Sequence, residues 1–247
     1  MKIFVVNLPS SVDRRECVEK SLSQLGVSFE IFEAVNGREG LGKDLEHYPN
    51  DNHRIWFRSR PLSPGERGCY ASHFLLWRKC VELNEPIVVL EDDILPTTFF
   101  LDTLQKLPSL HSKGYEYIKL EPNANTHTPL ESGDGFQLFF LHDNCTATRG
   151  YSLSPSGAKK LLDNSHEWLC SVDNFIGEAY RNKLVSTALL PNAIKGVEET
   201  EEFETTIQFG QKQKVSLIRK VTRELYRFYR FIRMTIWNNF THKKYLP

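Results

Sequence analysis

In the segment PIVVLEDDILP, residues 86–96, three adjacent carboxylates, Glu91, Asp92 and Asp93, directly follow four apolar residues, Ile87 to Leu90. An apolar run of that length, rich in β-branched residues, reads as a buried strand. Acids at the carboxyl end of a strand in an open α/β sheet stand where ligands bind. Strand alternation carried through the acids sends Glu91 and Asp93 to one side and Asp92 to the other. Glu91 and Asp93 are then a candidate pair for a hard divalent cation, Mg²⁺ or Mn²⁺, with a substrate's phosphates as further ligands. The competing reading is a strand that simply enters a polar loop. Buried carboxylates without partners are rare, and three in a row favour a site.

The elements that must hold these acids can be read along the chain. KIFVVNL (2–8) is strand-like, a helix follows from Ser10 to a stop at Gly26, and VSFEIFEAV (27–35) alternates like a second strand. That is a βαβ unit, whose two strands are expected to be parallel. Residues 38–62 are polar and read as a long loop. In SPGERGCYASHFLLWRKCVELN, Ser63 fits an N-cap, Pro64 the first helical position and Glu66 a capping box, so a helix is expected to about Leu83. After the acidic strand come a short helix near 97–107, strands at 115–120 and 136–141, helices at 154–164 and 171–182, and a strand at 184–190. Alternating strands and helices of this kind predict an α/β domain.

Several stretches together resemble glycosyltransferase family 25, which includes lipooligosaccharide galactosyltransferases and collagen galactosyltransferase domains. FVVNLPSSVDRR resembles its opening, FEAVNG its second strand, LSPGERGCYASHFLLW its most distinctive block and VVLEDDI its acidic block. RGYSLSPSGAKKLL and SVD fit its later pattern, so the likeness spans roughly residues 2–195. The resemblance implies a GT-A-like (Rossmann-like) fold: a mixed, mainly parallel sheet flanked by helices. It also implies a nucleotide-sugar donor, usually UDP-galactose, and Mn²⁺ or Mg²⁺ held by the acids. One departure is Lys119-Leu120-Glu121, where a small residue is expected in relatives.

On that resemblance each candidate takes a role. Asp93 is the first choice of metal ligand, with Glu91 beside it. Glu91 or Asp92 would bind metal-bound water, ribose or the donor sugar. Asn7 ends the first strand, and Arg14 and Arg15 follow it, where nucleotides sit in this fold; one arginine would face uracil or the diphosphate. Asn36 and Gly37 would line the nucleoside pocket, or else make a plain turn. Asp173 is the candidate base for the acceptor hydroxyl, or else an N-cap. His73 falls among Tyr70, Phe74 and Trp77 and reads as a structural histidine. Gly65, Gly68 and Cys69 would let their helix pack closely on the sheet.

The chain's net charge is zero, with 31 basic and 31 acidic residues, but the charge is unevenly spread. From residue 211 onward there are ten Lys/Arg and one acid, Glu224, so this segment carries +9 and the remainder, with 21 basic and 30 acidic residues, −9. In KVSLIRKVTRELYRFYRFIRMTIWNNF, helical spacing puts Ile218, Val221, Leu225, Phe228, Ile232 and Ile236 on one face, with Lys220, Arg223, Arg227 and Arg230 nearly opposite. Such a basic amphipathic helix predicts binding to an anionic membrane surface; the alternative is docking on its own domain with the arginines outward. No nucleic-acid motif accompanies the basic residues, and none is expected as a partner. Five scattered cysteines with no CxxC pair predict neither a zinc site nor a disulfide framework. The apolar run at the N-terminus is short for a signal peptide, and no stretch has 18 apolar residues.

The expectation is therefore a catalytic domain over 1–205 and a basic amphipathic tail over 206–247. It would be a cytoplasmic transferase, peripheral on the inner face of the bacterial inner membrane, passing a hexose to a lipid-linked oligosaccharide. The alternatives are a UDP-glucose-using relative, a Mg²⁺-dependent phosphohydrolase using the same acids, and a membrane-docked binding module without catalysis.

Overall fold

The structure, a computed structural model, describes residues 1–121, 127–197 and 215–242. Its centre is an eight-stranded sheet in the order β2-β1-β3-β8-β5-β9-β7-β6. The first half is the expected βαβ unit. β1 (Lys2–Asn7) pairs in parallel with β2 (Glu30–Glu33) across the helix α1 (Val12–Gln24), and on its other edge with β3 (Ile87–Glu91). The second half adds β5 (Tyr117–Lys119), β6 (His127–Gly133), β7 (Phe136–Leu141), β8 (Gly150–Leu153) and β9 (Ser186–Leu190). β8 lies between β3 and β5 and runs against both; β7 runs against β9 and β6. With β5 parallel to β9, six of the eight strands share one direction and only β7 and β8 oppose it. A small second sheet pairs β4 (Ile94–Pro96) with β10 (Ile194–Gly196).

The unbroken apolar run of β3 follows from burial on both faces. Ile87 and Val89 enter one hydrophobic cluster, with Tyr70, Trp77, Trp168 and Phe175; Val88 and Leu90 enter a second, with Val18, Leu22, Phe100 and Leu107. The first cluster is covered by α3 (Pro64–Leu83), α5 (Pro155–Asp163) and α6 (Val172–Gly177), the second by α1 and α4 (Phe100–Ser112).

α3 starts as its sequence predicts. Ser63 Oγ accepts from Glu66 N, Glu66 Oε2 accepts from Ser63 N, and Pro64 sits in the first turn. Its start presses directly on the loop after β2. A Cβ at Gly37 would fall 1.9 Å from the Pro64 carbonyl oxygen, and one at Gly68 2.3 Å from the Val35 oxygen. Both positions therefore require glycine, whereas Gly65 meets nothing within 4 Å and is not part of this contact.

Three local expectations are corrected. The polar loop at 38–62 contains a helix, α2 (Asp51–Arg58), capped by Asn50 Oδ1 accepting from His53 N. The α1 N-cap is Ser11, without a side-chain cap bond, in place of Ser10. The helix expected over 171–182 is broken at Glu178 into α6 and α7 (Ala179–Asn182).

The C-terminal helix α8 (Leu217–His242) forms as expected but docks in reverse. Its polar face turns inward: Arg230 pairs with buried Glu178 at 2.6 Å, and Thr222 Oγ1 donates to the Trp56 carbonyl at 2.6 Å. Tyr226 packs on His53 and Phe57, and Asn238 Nδ2 donates to the His142 carbonyl at 2.8 Å. The apolar face is left outside, with Leu225 64% and Phe228 63% exposed. Helical spacing separates the two faces but not their directions, which are set by Glu178, buried at the break between α6 and α7, where it pairs with Arg230. No helix among the described residues is long and apolar enough to cross a membrane.

Candidate active site

A cavity of about 1160 Å³ opens over the carboxyl ends of β1, β2 and β3. Glu91, Asp92, Asp93, Arg14, Asn36, Gly37, His73 and Asp173 all line it. The acidic strand ends at Glu91, and Asp92 and Asp93 lie in the turn before β4. Strand alternation therefore stops two residues earlier than expected, and the turn lets all three acids reach one cavity.

Each acid has a different environment. Glu91 is braced by neighbours, with Oε1 accepting from Thr148 Oγ1 at 2.5 Å and lying 3.5 Å from His73 Nε2. Burial pushes its pKa up, but the His73 and Thr148 contacts outweigh burial and hold it below the ordinary value. Asp92, 8% exposed, has both oxygens engaged, Oδ2 by Asn7 Nδ2 at 2.7 Å and Oδ1 by Arg14 at 2.7 Å. Burial nonetheless raises its pKa. Asp93 has one buried oxygen, Oδ1, with no hydrogen-bond partner among the described residues. Burial and the neighbouring Glu91 charge push its pKa to about 7.

An unsatisfied buried carboxylate beside a second carboxylate is costly unless a cation joins them. The donor set, hard oxygen on Asp93 and Glu91, fits Mg²⁺ or Mn²⁺. Asp92, engaged by Asn7 and Arg14, ties the turn to β1 and α1.

His73 is the structural histidine expected. Trp77 Nε1 donates to the Tyr151 hydroxyl at 3.1 Å, and that hydroxyl lies 2.8 Å from His73 Nδ1. On its other side the buried Nε2 faces Glu91 at 3.5 Å without a hydrogen bond. His73 thus brings the α3 motif into contact with the acid cluster.

Asp173 sits in the first turn of α6 but is not its N-cap, which is Ser171. Its Oδ1 accepts from Asn174 Nδ2 at 3.3 Å, and the half-buried carboxylate lines the cavity. Asn36 forms a local turn, its Oδ1 accepting from Arg38 N at 3.2 Å and its Nδ2 donating to Glu39 at 2.6 Å. Arg15 does not reach the cavity. It pairs with Glu19 at 2.8 Å on the exposed side of α1, because adjacent helical residues diverge by roughly 100° and only Arg14 turns inward.

The departure at Lys119-Leu120-Glu121 is internal. Lys119 is buried, donates to Asn144 Oδ1 at 3.1 Å and to the Thr146 carbonyl, and burial lowers its pKa to about 8. Glu121 lies 3.5 Å from Arg149.

Sequence reasoning missed six residues of the cavity wall: Arg58, Thr148, Arg149, Arg223, Arg227 and Arg230. Thr148 and Arg149 precede β8, whose pairing brings them beside Glu91; the only signal was the RGYSLSPSG block. Gly196 leaves room for the Arg149 guanidinium, which a Cβ would approach to 2.5 Å. Arg58 of α2 was hidden in the presumed loop. Arg223, Arg227 and Arg230 of α8 had been assigned to a membrane, yet all three line the cavity.

The sequence profile of glycosyltransferase family 25, described as an LPS biosynthesis protein family, matches residues 1–176. Procollagen galactosyltransferase 1-B of Xenopus laevis is 33% identical over 179 residues, which are 66% of this chain and 28% of that protein. Lipooligosaccharide biosynthesis protein lic2B of Haemophilus influenzae is 36% identical over 94 residues, 37% of this chain and 33% of its own. The chain thus matches about a third or less of the length of these relatives. Among solved structures, a Drosophila galactosyltransferase 7 mutant superposes over 90% of this chain and 79% of its own with a TM-score of 0.41 and 12% identity, a likeness too distant to argue from.

Proposed function

The chain belongs to glycosyltransferase family 25, and from that premise we propose that it transfers a hexose, galactose from UDP-galactose, to a lipooligosaccharide glycan with inversion. The observation that carries this reading is the unsatisfied buried oxygen of Asp93, beside Glu91 and across one cavity from Asp173. Asp93 and Glu91 would hold Mn²⁺ or Mg²⁺; when bound, the ion supplies electrostatic stabilisation of the leaving diphosphate. Asp173 accepts the proton of the attacking acceptor hydroxyl. Thr148 and His73 fix the orientation of Glu91, and Asn7 with Arg14 fixes the turn through Asp92. Asn36 and Gly37, at the end of β2, line the nucleoside side of the cavity.

The division into a catalytic body (1–205) and an accessory tail (206–247) is likewise our proposal. So is a place on the inner face of a bacterial inner membrane, where a lipid-linked acceptor would be met. The exposed apolar stripe of α8 supports it, although by burial of Leu225 and Phe228 among acyl chains rather than by the arginines. A donor screen with Mn²⁺ tests the chemistry: UDP-galactose should be consumed faster than UDP-glucose or UDP-GlcNAc, and sugar should pass to an acceptor. Cleavage of the diphosphate to UMP and hexose 1-phosphate without sugar transfer would instead establish a phosphohydrolase.

A further inference from the structure

Nine arginines and five carboxylates line the cavity, so its wall carries +4 on a chain of zero net charge. The surplus is not beside the acids, where Glu91, Asp92 and Asp93 face Arg14 and Arg149. It lies on the opposite wall, where α2 meets α8. Arg58 and Arg230 reach Glu178 at 2.5 and 2.6 Å, and Arg181 reaches the same carboxylate from behind at 2.5 Å. Arg223 and Arg227 share Glu224 at 3.0 Å. Five guanidinium groups thus have two carboxylates between them, a local excess of +3.

Like charges gathered in a partly enclosed space repel, and such a cluster is stabilised by an anionic ligand. The donor does not supply it, because a nucleotide sugar's diphosphate and its divalent cation neutralise each other. Arg223, Arg227 and Arg230 recur at i, i+4 and i+7 and so share one helical face. Their planar forks suit the oxygens of phosphate or carboxylate. Arg58 and Arg230 are committed to buried Glu178, whereas Glu224, the partner of Arg223 and Arg227, is about half exposed.

We propose that Arg223 and Arg227 form an anion subsite in the acceptor half of the cavity, so that the preferred acceptor is a glycan bearing a phosphate or carboxylate. This rests on the glycosyl-transfer reading for the word acceptor, but the subsite itself can be measured without turnover.

The test is calorimetric titration of the full chain with glucose 6-phosphate, glucuronate and glucose, each with and without saturating UDP and Mn²⁺. At least one of the two anionic sugars should bind about tenfold or more tighter than glucose, unaffected by UDP, and the tighter one identifies phosphate or carboxylate. Arg223→Gln/Arg227→Gln should erase that preference. Both side chains are partly to largely exposed, so the fold should persist, and the Glu178 cluster is left intact. Equal binding of all three sugars, displacement of the anionic sugar by UDP, or an unaltered preference in the double variant would overturn the subsite. If UDP fails to bind with Mn²⁺ at all, the donor reading fails, while the sugar titrations without UDP still decide the arginines.

Discussion

The two walls of the cavity are both made of charge around buried carboxylates, yet they are built in opposite ways. The acid wall grows from the sheet: a buried strand delivers Glu91, a turn places Asp92 and Asp93, Glu91 and Asp92 meet separate partners, and Asp93 Oδ1 meets none among the described residues. The basic wall is assembled from helices far apart in sequence, α2, α7 and α8, which converge on one carboxylate, Glu178, 1% exposed. In the first, the acid left unsatisfied is the one offered to chemistry. In the second, the satisfied acid is the anchor, and the surplus cations around it are what remain for a ligand. A site can therefore be tuned by leaving a charge unpaired on a rigid frame or by over-pairing a buried one.

Substitutions should separate the two walls. The largest effect is expected at Asp93→Ala, which should lower metal-dependent kcat by about 10³-fold, as loss of a preorganised electrostatic group does. Asp173→Asn should lower kcat by about 10²-fold or more with donor KM unchanged, since only proton transfer is lost. Steady-state kinetics with UDP-galactose checks both, and wild-type turnover in either variant would remove that residue from the mechanism.

Glu178→Gln acts on the other wall. It leaves three arginines without their anion and should cost about 3–5 kcal/mol in denaturant unfolding. The charges of Arg230, Arg58 and Arg181 overcome the cost of burial and hold Glu178 below the ordinary carboxylate pKa of 4.5. Its stabilisation is therefore complete above that pH and is lost as pH falls through the lowered folded value. The Gln variant should show a shallower acid dependence than the wild type. An unchanged midpoint would mean the cluster does not hold α8.

The smallest catalytic effect is expected outside both walls. Leu225→Ser/Phe228→Ser should abolish pelleting with vesicles while changing transfer to a soluble acceptor by no more than about twofold. Full vesicle binding by that variant would free the apolar stripe from any membrane role. Deleting the whole helix would not isolate this role, because α8 also lines the cavity.

What could be read from the sequence divides along the same line. The acid wall was legible because its signals are local: an apolar run ending in acids, and the Ser63–Glu66 capping box that starts α3. The parallel pairing of β1 with β2 followed from handedness and connection length. The turn at Asp92 was not legible, because strand alternation says nothing of where a strand stops. The basic wall was illegible because it depends on tertiary pairing. Helical periodicity separated Leu225 from Arg230, but only buried Glu178, 52 positions earlier in the chain, decides which face turns inward. The α2 helix was obscured by its polar composition, with Asp51, Asn52, His53 and Arg54 in its first turn.

The most direct test of the account is Mn²⁺ binding followed by the EPR signal of the free ion, with and without UDP, in the wild type and in Asp93→Ala. Wild-type protein with UDP should deplete the free-ion signal, and Asp93→Ala should leave it near that of buffer. Equal depletion by the two proteins would contradict the assignment of Asp93 and Glu91 as the metal-holding end of a glycosyl-transfer site.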